Sequence, residues 1–166
     1  MMIGKDEDIF PALQTRLMGV SRIAVVGIGD ELSPVDCAGM LAARTIEARK
    51  IRNVRVFAAG TVPESVTAPI RRYFPQHILL LDAAEMGAPP GMIAIVDPGT
   101  ISAGTFSTHA LPLTVFMEYL EKDTGTAVTF LGIQPWTGIP GNGDGGSGAE
   151  RFRKSLDAVI RILSGR

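Results

Sequence analysis

Ile23-Ala24-Val25-Val26-Gly27 is an uninterrupted apolar run that ends at a glycine. Such a run is typical of a β-strand buried on both faces, because polar residues do not alternate with the apolar ones. Strands buried on both faces belong mostly to parallel sheets, which helices cover on each side. The run therefore predicts an α/β protein, and the flanking sequence supports the same interpretation.

Helical and strand patterns alternate along the rest of the chain. Further strands are expected at residues 54–58, 77–82, 92–96 and 128–133, and helices at 6–19, 33–50, 67–74, 111–122 and 151–163. The second helix is expected to begin at Ser33-Pro34, because a serine cap followed by proline is a common helix start. The alternation predicts a three-layer α/β/α sandwich with a mostly parallel five-stranded sheet.

The length of 166 residues fits a single domain over residues 1–166. Residues 1–20 are predicted to form an N-terminal helical extension. Residues 138–148 contain six glycines and are predicted to form a glycine-rich surface loop. No apolar stretch is long enough to span a bilayer, and the N-terminus lacks the apolar segment of a signal peptide. We therefore expect a cytoplasmic protein that has no membrane partner.

The charge and the cysteine content exclude a class of partner and several kinds of site. Sixteen Lys and Arg residues stand against seventeen Asp and Glu, which gives a formal net charge of -1. Without a basic excess, nucleic acid is not an expected partner. Cys37 is the single cysteine in the sequence, which excludes a disulfide framework and paired-cysteine zinc or redox sites.

The glycines after the first strand resemble part of a dinucleotide-binding motif. The third glycine of that motif would fall on Leu32, and the second strand ends at Ala58-Ala59-Gly60 with no acidic residue to bind a ribose. The motif is therefore incomplete. The favoured interpretation is that Gly27 and Gly29 allow a tight turn and a close approach of a ligand to the backbone.

Three polar residues are expected at the carboxyl edge of the sheet. Asp82 ends an apolar strand, Asp36 falls in the predicted first turn of the second helix, and His109 precedes the helix at 111–122. Two carboxylates and one imidazole suit a divalent metal and leave coordination positions open for water or substrate. Each side chain is expected to be partly exposed. The alternative, that each merely caps a turn or helix, stays open.

Other candidate groups have ordinary alternatives. Cys37 at a helix start is a conceivable nucleophile with a lowered pKa, paired with His109, although a small cysteine is more often part of the core. No Gly-x-Ser-x-Gly motif supports a serine hydrolase. His77 and Trp136 are expected to be structural residues.

Four blocks of the sequence resemble the endopeptidases that mature nickel–iron hydrogenases, particularly the formate-hydrogenlyase-type and archaeal branch. The blocks are residues 27–32 with 36–39, residues 80–87 with 90–91, residues 107–113, and residues 130–135. Asp30 stands where the family usually has Asn, Val35 replaces the first residue of its acidic pair, and Cys37 occupies a position where glycine is common.

The resemblance implies a five-stranded α/β/α sandwich that removes a short C-terminal extension from the immature hydrogenase large subunit. It assigns Asp36, Asp82 and His109 as the metal-binding and catalytic residues. Nickel would arrive with its partner, the large-subunit precursor, and other divalent ions would substitute for it. The alternatives are a non-catalytic nickel-binding assembly factor and an α/β metallopeptidase or amidase that carries its own zinc.

Overall fold

The computed structural model describes residues 9–97, 112–136 and 146–165. Helices and strands alternate in these ranges. They are α1 (Ile9–Leu17), β1 (Ile23–Ile28), α2 (Ala38–Ala48), β2 (Val54–Gly60), a 3-10 turn (Pro63–Val66), α3 (Thr67–Tyr73), β3 (His77–Ala83), β4 (Ile93–Ile95), α4 (Leu113–Thr124), β5 (Val128–Ile133) and α5 (Gly146–Ser164). All the strands expected from the sequence are present.

The described strands form one five-stranded sheet in the order β2-β1-β3-β5-β4. The pairs that join β2, β1, β3 and β5 are parallel, whereas β4 runs antiparallel to β5 with Ile93 opposite Ile133. Every residue of β1 is buried, as its apolar run predicts. The predicted sheet, mostly parallel and five-stranded, is confirmed.

Helices cover both faces of the sheet. On one face, residues of α1, α2 and α5 pack with Leu79 and Leu81 of β3. On the other face, Ile70 of α3 and Phe116 of α4 pack with Leu80. Because successive residues of a strand point to opposite faces, one apolar strand supplies both halves of the core. The α/β/α sandwich is therefore confirmed. No helix in the described ranges is long and apolar enough to cross a membrane.

The second helix begins later than the sequence predicted. It starts at Ala38 with Cys37 at its N-cap, so Ser33 does not cap it. The preceding residues form turns instead: Ser33 N–H donates to the Asp30 carbonyl, and Leu32 N–H donates to Asp30 Oδ1. A short aspartate side chain that bonds nearby backbone competes with helix formation, which explains the error.

The last helix begins earlier than predicted. Residues 146–148, assigned to the glycine-rich loop, are the first residues of α5, whereas residues 138–145 lie outside the described ranges. A Cβ on Gly148 would lie 2.6 Å from Cβ of Trp136, so a glycine is needed where the helix crosses this residue. Residues 1–8 of the predicted N-terminal extension are also outside the described ranges, and α1 follows them.

His77 begins β3 at the amino edge of the sheet, and it is structural. Its Nε2 lies 2.9 Å from Oγ1 of Thr129, to which Arg16 Nη1 also donates at 3.2 Å. Burial, together with the positive charge of Arg16, lowers the pKa of His77 to about 4. The folded protein therefore favours the neutral imidazole.

We predict that protonation of His77 makes the fold acid-sensitive. The unfolded chain binds this proton near pH 6.5 and the folded chain only near about pH 4, so stability falls as the pH drops through that window. Between about pH 7 and pH 5 the loss is about 2 kcal/mol. Urea unfolding at both pH values measures it, and His77→Asn should remove that part of the loss. An equal loss in both proteins would contradict the prediction.

Candidate active site at the carboxyl edge of the sheet

The loops after β1 and β3 meet at the carboxyl edge of the sheet. Gly29 N–H donates to the Gly60 carbonyl at 2.9 Å, which ties the loop after β1 to the end of β2. β3 lies on the other side of β1, with Gly27 opposite Leu81. Open α/β sheets bind their ligands at this edge. Both aspartates singled out in the sequence lie here.

Asp36 is held by the turn that precedes α2, not by the first turn of the helix. Its Oδ2 accepts a hydrogen bond of 3.2 Å from Asp30 N–H, and its side chain is half-buried. Gly29 has a φ of 136°, and a Cβ there would lie 2.1 Å from the Asp36 carbonyl oxygen. Gly29 therefore permits both the turn and the close approach of Asp36, as its position after the first strand predicts.

Asp82 is buried at the end of β3. Its residue is 1% exposed, so the expectation that it would be partly exposed is wrong. The cause is the N-terminus of α2, which packs directly on β1 and β3. A Cβ on Gly39 would lie 2.3 Å from the Leu81 carbonyl oxygen and 2.9 Å from Cα of Asp82. The glycine thus allows the helix to cover the carboxylate.

One oxygen of the Asp82 carboxyl group is unsatisfied. Within the described ranges Oδ1 has no hydrogen-bond partner, although the carboxyl group accepts a backbone hydrogen bond from Ala83 N–H. Burial, with a further contribution from the negative charge of Asp36, raises the pKa of Asp82 to about 8. The folded chain therefore favours the protonated form of this carboxyl group. A buried charge of this kind is stabilised by a cation or by a proton.

His109 lies outside the described ranges, so its place relative to the two aspartates is untested. In residues 9–97, 112–136 and 146–165, no group of three His, Cys, Asp or Glu side chains could hold a metal ion. The structure places Asp36 close enough to Asp82 for its charge to act on that carboxyl group. The assignment of Asp36, Asp82 and His109 as metal-binding and catalytic residues stays a prediction.

Cys37 does not have the properties of a nucleophile. Burial raises the pKa of its thiol, and the charges of Asp36 and Asp30 raise it further, against the lowering effect of a backbone hydrogen bond. The lowered pKa considered from the sequence is therefore wrong. Because the reactive form of cysteine is the thiolate, the arrangement does not favour thiol chemistry.

Two polar residues at this edge, Glu85 and Gln134, entered the sequence analysis only as members of the blocks 80–87 and 130–135. Gln134 follows β5 and is almost fully buried, and its Nε2 donates to Oε1 of Glu85 at 2.9 Å. A glutamine directly after a buried strand was the available signal. Trp136, two residues later, is buried and stacks on Phe152 at 4.8 Å, as expected of a structural residue.

The fold and the site together define a class of protein. It is an α/β/α sandwich that holds two interacting carboxylates where parallel strands end, the usual position for substrates in such sheets. Comparison with known proteins narrows the class to one family.

Residues 35–141 match the family model of hydrogenase maturation proteases. A relative from Methanocaldococcus jannaschii, provisionally named as such a protease, is 33% identical over 131 residues, which span 74% of this chain and 78% of the relative. The hydrogenase 3 maturation protease of Escherichia coli K12 is 37% identical over 109 residues, or 65% of this chain and 69% of that protein. The crystal structure of a [NiFe] hydrogenase maturation protease from Thermococcus kodakarensis KOD1 matches 92% of this chain and 98% of its own, with a TM-score of 0.76 and 27% identity.

The chain therefore belongs to the hydrogenase maturation protease family and is an endopeptidase of that family. The resemblance stated from the four sequence blocks is confirmed, as is the fold that it implies.

We predict that Asp82→Asn stabilises the metal-free protein. The pKa of Asp82 is higher in the folded chain than in the unfolded one. Its ionisation therefore lowers the free energy of unfolding by a growing amount as the pH rises from about 4 to about 8. In EDTA at about pH 8, the variant should be more stable by about 2–4 kcal/mol, and the gain should disappear below about pH 4. Asp36→Asn, at a half-buried position, should gain less. A destabilised Asp82→Asn protein at about pH 8 would contradict the prediction.

Proposed function

We propose that this chain removes the C-terminal extension of a nickel–iron hydrogenase large-subunit precursor after nickel has been inserted. The observation that carries the proposal is the interacting pair Asp36 and Asp82 at the carboxyl edge, in a chain of this protease family. The relative from E. coli K12 is named as the maturation protease of hydrogenase 3. We propose the cytoplasm as the location, which suits a chain with one cysteine.

The proposed site for the nickel of the substrate comprises Asp36, Asp82 and His109. The two carboxylates fit a divalent cation, because Oδ1 of Asp82 is buried without a hydrogen-bond partner in the described ranges and the negative charge of Asp36 acts on it. The assignment of His109 rests on the sequence and on the family resemblance. Carboxylate and imidazole ligands suit nickel and zinc alike, so other divalent ions would substitute.

The proposed reaction is the hydrolysis of one peptide bond. Nickel near the scissile carbonyl would supply Lewis-acid polarisation. Asp82 releases its proton to solvent when a cation approaches, because the positive charge stabilises the carboxylate. Asp36 is half-buried and therefore accessible to water; it accepts a proton from the attacking water molecule, which forms the new C–O bond. That proton passes to the leaving amine as the C–N bond breaks.

This arrangement makes cleavage depend on nickel insertion. A precursor without nickel brings the scissile bond to two carboxylic groups, one of which holds its proton. The protease gains this selectivity only if it does not hold a metal tightly itself. Two carboxylates and one imidazole, with no thiolate, form a modest metal site that is consistent with this requirement.

Asp36→Asn, Asp82→Asn and His109→Ala should each reduce processing of the nickel-loaded precursor by about 100-fold or more, because each removes a proposed ligand or base. The loss of mass from the large subunit measures processing. Asp30→Asn is the matched control, since the side chain of Asp30 accepts a bond from Leu32 N–H and asparagine can do the same. Full processing by either aspartate variant would overturn the site assignment.

Metal removal separates this proposal from its alternatives. Protease treated with EDTA and desalted should still process nickel-loaded precursor and leave nickel-free precursor intact. Activity that is lost until zinc is returned would indicate a metallopeptidase that carries its own ion. Binding of the loaded precursor without loss of the extension would indicate a non-catalytic assembly factor.

A further inference from the structure

The segment 84–91, which follows Asp82, is closed around a single side chain. At its base, Ala84 N–H donates to the Ile133 carbonyl and Gly91 N–H donates to the Gln134 carbonyl, both at 2.9 Å. Both ends of the segment are therefore tied to the end of β5. We call residues 84–91 the β3 loop.

The side chain of Gln134 fills the inside of the β3 loop. Its Oε1 accepts hydrogen bonds from Met86 N–H at 2.8 Å and from Ala88 N–H at 3.2 Å. Its Nε2 donates to Oε1 of Glu85 at 2.9 Å, and the same oxygen of Glu85 accepts from Gly87 N–H at 3.2 Å. Gln134 is only 6% exposed, so the bonds of its side chain are partly shielded from water, whereas the bond from Gly87 N–H to Glu85 is exposed. Removing Gln134 would leave two backbone donors of the loop without their acceptor, which is costly where water is excluded.

The outer surface of the β3 loop faces solvent beside the candidate site. Pro89 and Pro90 are exposed, and Met86 and Ala88 are half-buried. The loop begins two residues after Asp82, at the edge where the substrate peptide must lie. Proline has no N–H, so residues 89 and 90 offer a peptide no backbone donor, while the carboxylate of Glu85 is exposed on the same loop. A rigid surface binds with a smaller loss of conformational entropy than a mobile one.

We propose that Gln134, together with Glu85, is a positioning residue that holds the β3 loop as a preformed wall beside Asp82 for the substrate peptide. This inference rests on the proposed function. Asp82 itself is held by the pairing of β3 with β5, where it lies opposite Gly132, and not by the loop. Loosening the loop therefore weakens substrate binding and leaves the bond-breaking step nearly unchanged.

The test replaces Gln134 by methionine, which is similar in size but has no oxygen acceptor. We expect KM for the nickel-loaded precursor to rise by about 10-fold or more while kcat stays within about 3-fold, the result of losing binding that is uniform between ground and transition state. Hydrogen exchange of the Met86 and Ala88 amides should accelerate by about 10-fold or more in the free protein, without any substrate. If Gln134→Met does not fold, Glu85→Ala replaces it in the test. This variant, at an exposed position, should also raise KM, by a smaller factor, and leave kcat within about 3-fold.

Two further variants identify the cause. The double variant Glu85→Gln with Gln134→Glu reverses the side-chain bond between the two residues and keeps an acceptor for the N–H groups of Met86 and Ala88. It loses the bond from Gly87 N–H, so it should recover part of the lost affinity. Gln76→Met is the matched control. Oε1 of Gln76 accepts bonds from the N–H groups of Ser21 and Arg22 at the opposite edge of the sheet, so its loss should leave KM and kcat unchanged.

The outcomes are separable. If the native chain processes no precursor, the proposed function fails and the inference fails with it. If the native chain is active and Gln134→Met keeps the native KM, or lowers kcat instead, the positioning role of Gln134 is wrong while the proposed function stands.

Discussion

A carboxylic acid buried at the end of an apolar strand is the constraint around which this edge of the molecule is organised. β3 carries Asp82 into a region where the N-terminus of α2 excludes water, and a second carboxylate, Asp36, acts on it. Such a group is stable in only two forms: protonated, or paired with a cation. The glycines nearby follow from this arrangement, because Gly39 lets the helix approach and Gly29 lets Asp36 turn towards the site.

The unsatisfied carboxyl group gives the proposed function a physical basis. A residue that destabilises the fold without its ligand is expected at functional sites, where local rules of folding are broken for binding or catalysis. In the proposed function, a cation that arrives with the substrate would replace the proton on Asp82 and pair with both carboxylates. The free energy of that pairing would favour the loaded precursor over the empty one. Selectivity for inserted nickel then requires no separate recognition module.

The sequence predicts the layers of the molecule better than it predicts where each helix begins and ends. Apolar runs such as those of β1 and β3 place the strands, and a carboxylate at the end of β3 predicts the site, because the carboxyl ends of parallel strands share an edge. The start of α2 was misplaced because the side chain of Asp30 bonds to Leu32 N–H and stabilises a turn. The burial of Asp82 was not predictable, since it depends on how closely α2 packs across Gly39. The role of Gln134 was missed because its partners lie about fifty residues away in sequence.

The most direct test of this account is the ionisation of Asp82 itself in the metal-free protein. The carboxyl carbon of Asp82 can be followed by NMR as the pH is raised, after assignment with Asp82→Asn. We expect a midpoint of about 8, and a lower midpoint in Asp36→Asn, where the neighbouring charge is absent. A midpoint near about 4, the value for an ordinary exposed aspartate, would contradict it.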